Sequence, residues 1–172
     1  MKIFLFPTEM EAELFLELCP DAEVVISGVG MAATAAAISK LWSEHRLDNE
    51  TVVVLAGIAG AYDGTLEKGE VVEVVEECCS ELPERFQREY RVEPYTNLRS
   101  VRSNSVHGKG VTACGREVEN MEGAALFAMA QELGFRAVEL RAISNYVGEE
   151  FAHWSIYDAL NSLARELVCY YE

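Results

Sequence analysis

The sequence predicts an α/β protein: a single domain over residues 1–172 with three αβα layers, in which helices cover a twisted, mixed and mostly parallel central sheet. Short runs rich in Val, Ile, Leu and Phe alternate with longer stretches of helical periodicity. That alternation is typical of a mostly parallel sheet covered by helices. The length of 172 residues and the hydrophobic content of 50% suit one core.

The first part of the chain predicts two strands, each followed by a helix. Residues 3–6 form an apolar strand, and Thr8 is suited to cap the helix that follows it. Residues 24–27 form the second strand. A Gly-Val-Gly turn then leads into an alanine-rich helix over residues 31–42.

The middle of the chain predicts two more strands and a loop. Residues 51–56 are continuously apolar, as expected of a central strand buried on both faces. The glycines of residues 57–60 then allow another group to approach the chain closely. Residues 71–75 form the next strand. Residues 80–94 mix charges with two prolines and predict a surface loop or lid.

The last part of the chain predicts two helices with a strand between them. Residues 98–116 show no clear pattern. Residues 121–133 form an apolar helix that ends at a glycine, and residues 137–143 form a strand. Residues 156–171 predict an amphipathic helix whose apolar stripe, starting at Tyr157, faces the core.

Composition excludes several classes of protein. The 29 acidic and 14 basic residues give a net charge of -15, which repels phosphate backbones and anionic membranes, so we expect no nucleic-acid or membrane partner. No apolar run approaches the roughly 18 residues of a membrane span, and no signal peptide is evident. The five cysteines form no CxxC pair and predict reduced thiols in a cytoplasmic protein. They are Cys19, Cys78, Cys79, Cys114 and Cys169.

The sequence favours neither a cofactor nor a metal. Gly28 and Gly30 follow a strand and resemble half of a dinucleotide fingerprint, but Ala33 occupies the third glycine position and the downstream acidic residue is missing. The helix N-terminus at this turn could still hold a polar ligand group. The three histidines lack metal-ligand spacing, and only His107 is kept as a candidate site-loop residue.

Polar residues at the ends of apolar elements indicate a small-molecule site. Glu122 lies in the first turn of an almost wholly apolar helix, although the helix dipole alone would stabilise it there by about 0.3 to 1 kcal/mol. Arg141 and Asn145 belong to or follow a strand that reads as buried, so each needs a polar partner. Glu11 and Glu13 follow the first strand at the same predicted sheet edge.

Five segments, taken in order and spacing, resemble the purine nucleoside phosphorylase and nucleosidase superfamily. They read PTEMEA from residue 7, SGVG from residue 27, AGIAGA from residue 56, NMEGA from residue 120 and RAISN from residue 141. Within the superfamily, GIAG, MEGAA, RAISNYVG and the later Trp154 are most similar to the futalosine hydrolase family. The resemblance implies a nucleoside phosphorylase-like fold, no cofactor, and a homo-oligomer that is a dimer or larger.

The resemblance also implies roles for individual residues. Met121 and Glu122 would contact the ribose, and the Glu122 carboxylate would accept hydrogen bonds from the 2′- and 3′-hydroxyls. Glu11 aligns with the water-activating carboxylate of the family, while Glu13 is reachable by a two-residue shift and stays an alternative. The remaining substrate-binding candidates are Gly28, Ile58, Gly60, Arg141 and Ser144.

Asn145 stands where methylthioadenosine nucleosidases carry an aspartate that protonates purine N7. An aspartic acid can donate to N7 and accept from a 6-amino group, whereas an asparagine amide can accept from a protonated N7 and donate to a 6-oxo group. Asn145 therefore favours hypoxanthine or guanine over adenine. Futalosine carries hypoxanthine, so the amide and the resemblance agree.

The leading hypothesis is hydrolysis of the N-glycosidic bond of futalosine, a step of menaquinone biosynthesis. Phosphorylases of the superfamily bind phosphate through early arginines and a hydroxyl in the glycine-rich turn, but here the first arginine is Arg46 and Ile58 occupies the turn. The alternatives are a purine nucleoside phosphorylase or a methylthioadenosine/S-adenosylhomocysteine-type nucleosidase. A further alternative, of another class, is a nucleoside-binding homologue without catalysis.

Overall fold

The computed structural model describes residues 1–108, 113 and 115–171. Cys114 and residues 109–112 of the predicted irregular stretch lie outside the described residues. Within that described part, no helix has both the length and the apolar character needed to cross a membrane.

Eight strands and four α-helices make up the described fold. The strands are β1 (Lys2–Phe6), β2 (Val24–Ile26), β3 (Val52–Ala61), β4 (Val71–Cys78), β5 (Glu89–Arg91), β6 (Arg99–Ser105), β7 (Val118–Asn120) and β8 (Arg136–Tyr146). The helices are α1 (Glu9–Leu18), α2 (Met31–Ser43), α3 (Gly123–Leu133) and α4 (Ile156–Tyr171). Two 3-10 turns, Glu84–Phe86 and Phe151–His153, lie in the connections.

All eight strands belong to one mixed sheet. β2, β1, β3 and β8 run parallel in that order, β8 pairs antiparallel with β4, and β4, β6 and β7 run parallel. β7 returns to pair antiparallel with β3, so β3, β8, β4, β6 and β7 close into a ring. β5 pairs antiparallel with residues 76–78 of β4, beyond the residues of β4 that pair with β8. Five of these eight pairings are parallel, which confirms the predicted mostly parallel sheet and adds a closure that the sequence did not indicate.

Helices pack on both faces of the sheet, which confirms the predicted αβα layering. α2 and α3 cover one face, where the core is formed by Leu5, Ile38, Leu41, Leu55, Leu126 and Phe127. α1 and α4 cover the other face, where the core is formed by Phe4, Phe15, Val54, Val138, Leu160 and Leu163. The layers hold the carboxyl ends of β1, β3 and β8 together at one edge.

Strand pairing corrects several predicted boundaries. Residues 57–60 continue β3 rather than forming a turn, because β8 and β7 supply hydrogen-bond partners from much later in the chain. Residues 80–94 contain β5, and the apparently irregular residues 98–116 contain β6. The prediction that Tyr157 faces the core is wrong, because its side chain is 70% exposed. α4 itself spans the predicted residues.

Candidate functional site

A cavity of about 440 Å³ opens where the carboxyl ends of β1, β3 and β8 meet the start of α3. Seven of the nine predicted site residues line it: Glu11, Ile58, Gly60, Met121, Glu122, Ser144 and Asn145. They come from chain segments up to 134 positions apart and meet only because β8 inserts between β3 and β4.

Gly28 and Arg141, the other two predicted substrate-binding residues, are not among the residues that line the cavity, so their contact with a substrate stays a prediction. Gly28 has a φ of 83°, and a Cβ added to it would meet the Ala33 Cβ at 3.1 Å, so it shapes the turn while Val29 beside it lines the cavity. The Arg141 side chain is 1% exposed and lies behind the cavity wall. Its ion-pair partners, Glu122 and Glu139, are carboxylates of the protein, which explains how a buried strand tolerates a cation.

Glu11 projects from the first turn of α1 into the cavity. Thr8 caps this helix, because its Oγ1 accepts from the Glu11 backbone N–H at 3.3 Å and donates to Glu11 Oε2 at 2.7 Å. The backbone N–H of Ile58 donates to Glu11 Oε1 at 3.1 Å. Burial raises the pKa of Glu11, while the hydrogen bonds that its carboxylate accepts from the Thr8 hydroxyl and the Ile58 backbone oppose the shift. The alternative residue, Glu13, is exposed and does not line the cavity.

Glu122 is held at the base of the cavity with 3% of its surface exposed. Its Oε1 accepts from the backbone N–H of Gly30, the N-cap of α2, at 2.9 Å, and its Oε2 accepts from Arg141 Nη2 at 3.2 Å. The helix N-terminus that could hold a ligand group thus binds a carboxylate of the protein itself. Glu122 is therefore an oriented carboxylate whose remaining lone pairs can accept hydroxyl donors.

Asn145 lies across the cavity near the end of β8. Ser144 Oγ donates to Asn145 Oδ1 at 2.8 Å, and Asn145 Nδ2 donates to the Tyr146 carbonyl at 3.1 Å. A Cβ added to Gly60 would lie 3.1 Å from Asn145 Nδ2, so a glycine at that position leaves room for the amide. One amide N–H and one carbonyl lone pair stay available for a ligand.

Sequence reasoning missed Glu119, a half-buried carboxylate on the cavity wall. Tyr62 Oη donates to its Oε2 at 3.0 Å, and burial raises the pKa of Glu119. Glu119 was not predicted because β7 closely follows residues 98–116, which show no strand pattern. The only available signal was the alternation of buried and half-buried residues over positions 118–120, and three residues are too few to indicate a strand.

His107 lies beside the cavity rather than on its wall. Its backbone N–H donates to Glu81 Oε2 at 2.6 Å, and its Nδ1 lies 2.9 Å from the same oxygen. With Cys79, these residues place a thiol, a carboxylate and an imidazole within 4.8 Å of one another, a grouping that sequence spacing did not reveal. The two contacts with Glu81 account for His107 without a ligand.

The cavity wall is apolar and acidic. Among the residues that the structure describes, the wall carries carboxylates and amides but no Lys or Arg side chain. Such a cavity suits a neutral ligand that donates hydrogen bonds, such as a sugar diol, and offers a poor site for an anion.

Comparison with known proteins gives one curated relative and many similar structures; no family model matches the chain. The chain is 28% identical to the futalosine hydrolase of Thermus thermophilus, over 96% of this chain and 92% of the relative. A futalosine hydrolase mutant of Helicobacter pylori superposes with a TM-score of 0.82 at 15% identity, covering 98% and 97% of the two chains. The Helicobacter pylori 5'-methylthioadenosine/S-adenosylhomocysteine nucleosidase with butyl-thio-DADMe-Immucillin-A gives 0.83 at 13% identity, with coverage of 98% and 97%. The chain is thus similar in sequence to a futalosine hydrolase and shares the fold of the solved futalosine hydrolase and nucleosidase structures.

Proposed function

We propose that the protein is a nucleosidase that hydrolyses the N-glycosidic bond of a purine nucleoside, and that futalosine is its substrate, giving hypoxanthine and dehypoxanthine futalosine. The observation that carries the proposal is the meeting of Glu11, Glu122 and Asn145 around one cavity. The homology to futalosine hydrolase supports the same reaction. The solved relatives include nucleosidases with methylthioadenosine or an immucillin bound, which supports a nucleoside as the ligand.

The proposed reaction assigns one task to each of the three side chains. Glu122 accepts hydrogen bonds from the ribose hydroxyls and fixes the sugar. The bond from C1′ to the base nitrogen breaks, the base keeps the electron pair and takes up a proton from solvent, and Asn145 stabilises the departing purine by hydrogen bonds. Water adds its oxygen to the oxocarbenium-like C1′ and passes a proton to Glu11. The raised pKa of Glu11 suits a base that must accept that proton.

Water is the proposed nucleophile rather than phosphate. Phosphate would need cationic or free hydroxyl donors, whereas the described wall carries Glu11, Glu119 and Glu122 and no cation. Its two hydroxyl groups, of Thr8 and Ser144, already donate to Glu11 Oε2 and Asn145 Oδ1. Arg141, the nearest buried guanidinium to Glu122, already pairs with two carboxylates. The expected products are free base and free sugar at a rate that added phosphate does not change.

The test is to incubate the protein with futalosine, inosine and methylthioadenosine and to follow release of free base. Hypoxanthine release from futalosine supports the proposal. Faster release of adenine from methylthioadenosine would favour the adenine-type nucleosidase, and dependence on phosphate would favour a phosphorylase. Binding without release would identify a nucleoside-binding protein without catalysis.

Glu11→Gln and Glu13→Gln form a matched pair of variants for the same assay. A positioned general base contributes about 10² to 10⁴ fold, or about 3 to 5 kcal/mol, so Glu11→Gln should lose that rate while keeping its fold. Glu13→Gln should leave the rate unchanged, because Glu13 is exposed and off the cavity. Parental turnover by Glu11→Gln would remove Glu11 from the mechanism.

We also propose that the protein forms a homo-oligomer, a dimer or larger. Met10 and Val29 line the cavity and are 53% and 52% exposed, so apolar surface surrounds the opening. Covering that surface with a second copy would remove apolar area from water. Light scattering coupled to size-exclusion chromatography measures the mass, and a monomer of 19.1 kDa at micromolar concentration would refute the assembly.

A further inference from the structure

Two carboxylates lie face to face inside the sheet, behind the cavity. Glu77 on β4 and Glu139 on β8 are both 0% exposed. Gly123, the first residue of α3, covers them, and a Cβ added there would collide with carboxylate oxygens of both residues. Neither residue lines the cavity, and neither has a part in the proposed reaction.

The two carboxylates have different hydrogen-bond partners. Glu77 receives neutral donors, Asn120 Nδ2 at 2.5 Å and Ser105 Oγ at 2.9 Å. Glu139 Oε1 receives the Nε–H of Arg141 at 2.8 Å, a charged donor. Glu139 Oε2 is buried, and among the described residues it has no hydrogen-bond partner unless Glu77 beside it carries a proton. A buried carboxylate oxygen without a donor is costly unless a proton lies beside it.

Charge balance points to such a proton. If both carboxylates were ionised, they and Glu122 would set three negative charges against the one positive charge of Arg141 in a buried cluster. Burial and the neighbouring charge of Glu139 raise the pKa of Glu77 well above its usual value. Burial also raises the pKa of Glu139, but Arg141 contacts Glu139 rather than Glu77 and opposes that shift, so the geometry favours ionised Glu139.

We propose that Glu77 and Glu139 share a single proton, held by Glu77 and donated to Glu139 Oε2, and that this pair positions Glu122 for the ribose. The second half of the proposal rests on the proposed function. The pair is a positioning device, since it touches no substrate. Its remaining negative charge lies under the N-terminus of α3, where the helix dipole favours an anion.

Two paths connect the pair to Glu122. Glu139 fixes Arg141 through Nε, and Arg141 Nη2 reaches Glu122 Oε2 at 3.2 Å. Glu77 fixes the amide of Asn120, whose Oδ1 accepts from the backbone N–H groups of Glu122 and Gly123 at 2.8 Å each. Arg141 Nη2 also donates to that oxygen at 3.0 Å and joins the two paths. The carboxylate and the backbone of Glu122 are thus both oriented from behind.

The test compares Glu77→Gln with Glu139→Gln. A glutamine amide has the shape of a protonated acid and can donate to Glu139 Oε2, but it keeps one acceptor oxygen where Glu77 has two that accept from Asn120 and Ser105. Glu77→Gln should therefore lose less than about tenfold in kcat/KM. Glu139→Gln removes the charge that Arg141 contacts and lets the guanidinium shift. A misplacement of about 1 Å costs on the order of 10² fold in kcat/KM on a ribonucleoside.

Substrate truncation separates positioning from general damage. The parental protein should prefer inosine to 2′-deoxyinosine, because Glu122 accepts from the 2′-hydroxyl. Glu139→Gln should reduce that preference by about tenfold or more, since the loss falls on the hydroxyl contact. Equal losses on both substrates would show that the pair only supports the fold and would overturn its positioning role.

An infrared measurement tests the shared proton without turnover. The difference spectrum of parental protein minus Glu77→Gln should show the C=O band of one protonated carboxyl group near neutral pH, shifted in D₂O. Absence of the band, or a tolerated Glu139→Gln beside a damaging Glu77→Gln, would overturn the assignment of the proton. Failure of the parental protein to release any base would instead refute the proposed function and leave the infrared result standing.

Discussion

Gly57→Ala is the most informative single substitution for the candidate site. An added Cβ would lie 2.7 Å from Arg141 Nη1 and 2.8 Å from Glu11 Oε1, about 0.7 Å short of the 3.4 Å at which ordinary contact begins. Gly57 lies in β3 and has no left-handed backbone angle, so alanine fits the chain itself. The whole effect must therefore come from displacing the two side chains.

The structure gives the size of the two expected effects. Both atoms end flexible side chains, so the fold can adapt at a cost of about 1 to 3 kcal/mol, a fall in Tm of roughly 3 to 10 °C for a chain of this size. The chemistry adapts less well, because Glu11 must stay within hydrogen-bond reach of water. A displacement approaching 1 Å is expected to lower kcat on the order of 10² fold.

The assay pairs turnover with thermal unfolding. Gly64→Ala is the matched control, since Gly64 lies in an exposed turn and an added Cβ there meets nothing within 4 Å. Its Tm and kcat should both stay near the parental values, within about 0.5 kcal/mol. Parental turnover by Gly57→Ala, with Tm also unchanged, would refute the close approach of Glu11 and Arg141 to this glycine.

Three further predictions follow from the contacts of the site and of the buried pair. Thr8→Val removes the cap of α1 and a hydrogen bond that lowers the pKa of Glu11. It should cost about 1 kcal/mol of stability and move the acid limb of the kcat/KM profile to higher pH. Thr8→Ser should restore the stability and the profile, and an unmoved acid limb in Thr8→Val would contradict the hydrogen bond to Glu11. Asn145→Asp should lower the ratio of hypoxanthine to adenine release on the order of tenfold, measured by competition between inosine and methylthioadenosine; an unchanged ratio would show that the amide does not select the base. The raised pKa of folded Glu77 means that the folded protein keeps this proton above the pH at which the unfolded chain loses it, so the contribution of Glu77 to stability falls as pH rises. The free energy of unfolding of Glu77→Gln, measured in urea, should therefore increase relative to that of the parental protein as the pH rises from about 4.5 to neutrality. A difference between the two proteins that stays constant with pH would contradict the shift.

The sequence predicted the layers of the fold because each helix and most strands carry their own periodicity. The helix at residues 156–171 and the cap at Thr8 depend on neighbours in the chain and agree with the structure. The continuation of β3 through residues 57–60 depends on pairing with β7 and β8, which no local pattern contains. The three-residue strands β5 and β7 are too short to show alternation.

The candidate site was predictable where an unusual residue stood on an apolar element. Glu122 and Asn145 were found in that way, and both line the cavity. Arg141 is also an unusual residue on an apolar strand, but its partners Glu122 and Glu139 belong to the protein itself. The sequence pattern cannot distinguish a partner within the protein from a bound ligand. Glu77 gave no signal, because it falls where β4 continues beyond its predicted end.

The two outermost strands of the described sheet, β2 and β5, are each only three residues long. A short rim offers few free backbone donors and acceptors to another chain, which disfavours growth by strand addition. Copies of this protein should therefore meet through side chains of their helices and loops. Such contacts leave the arrangement of hydrogen bonds in each sheet unaltered when subunits separate.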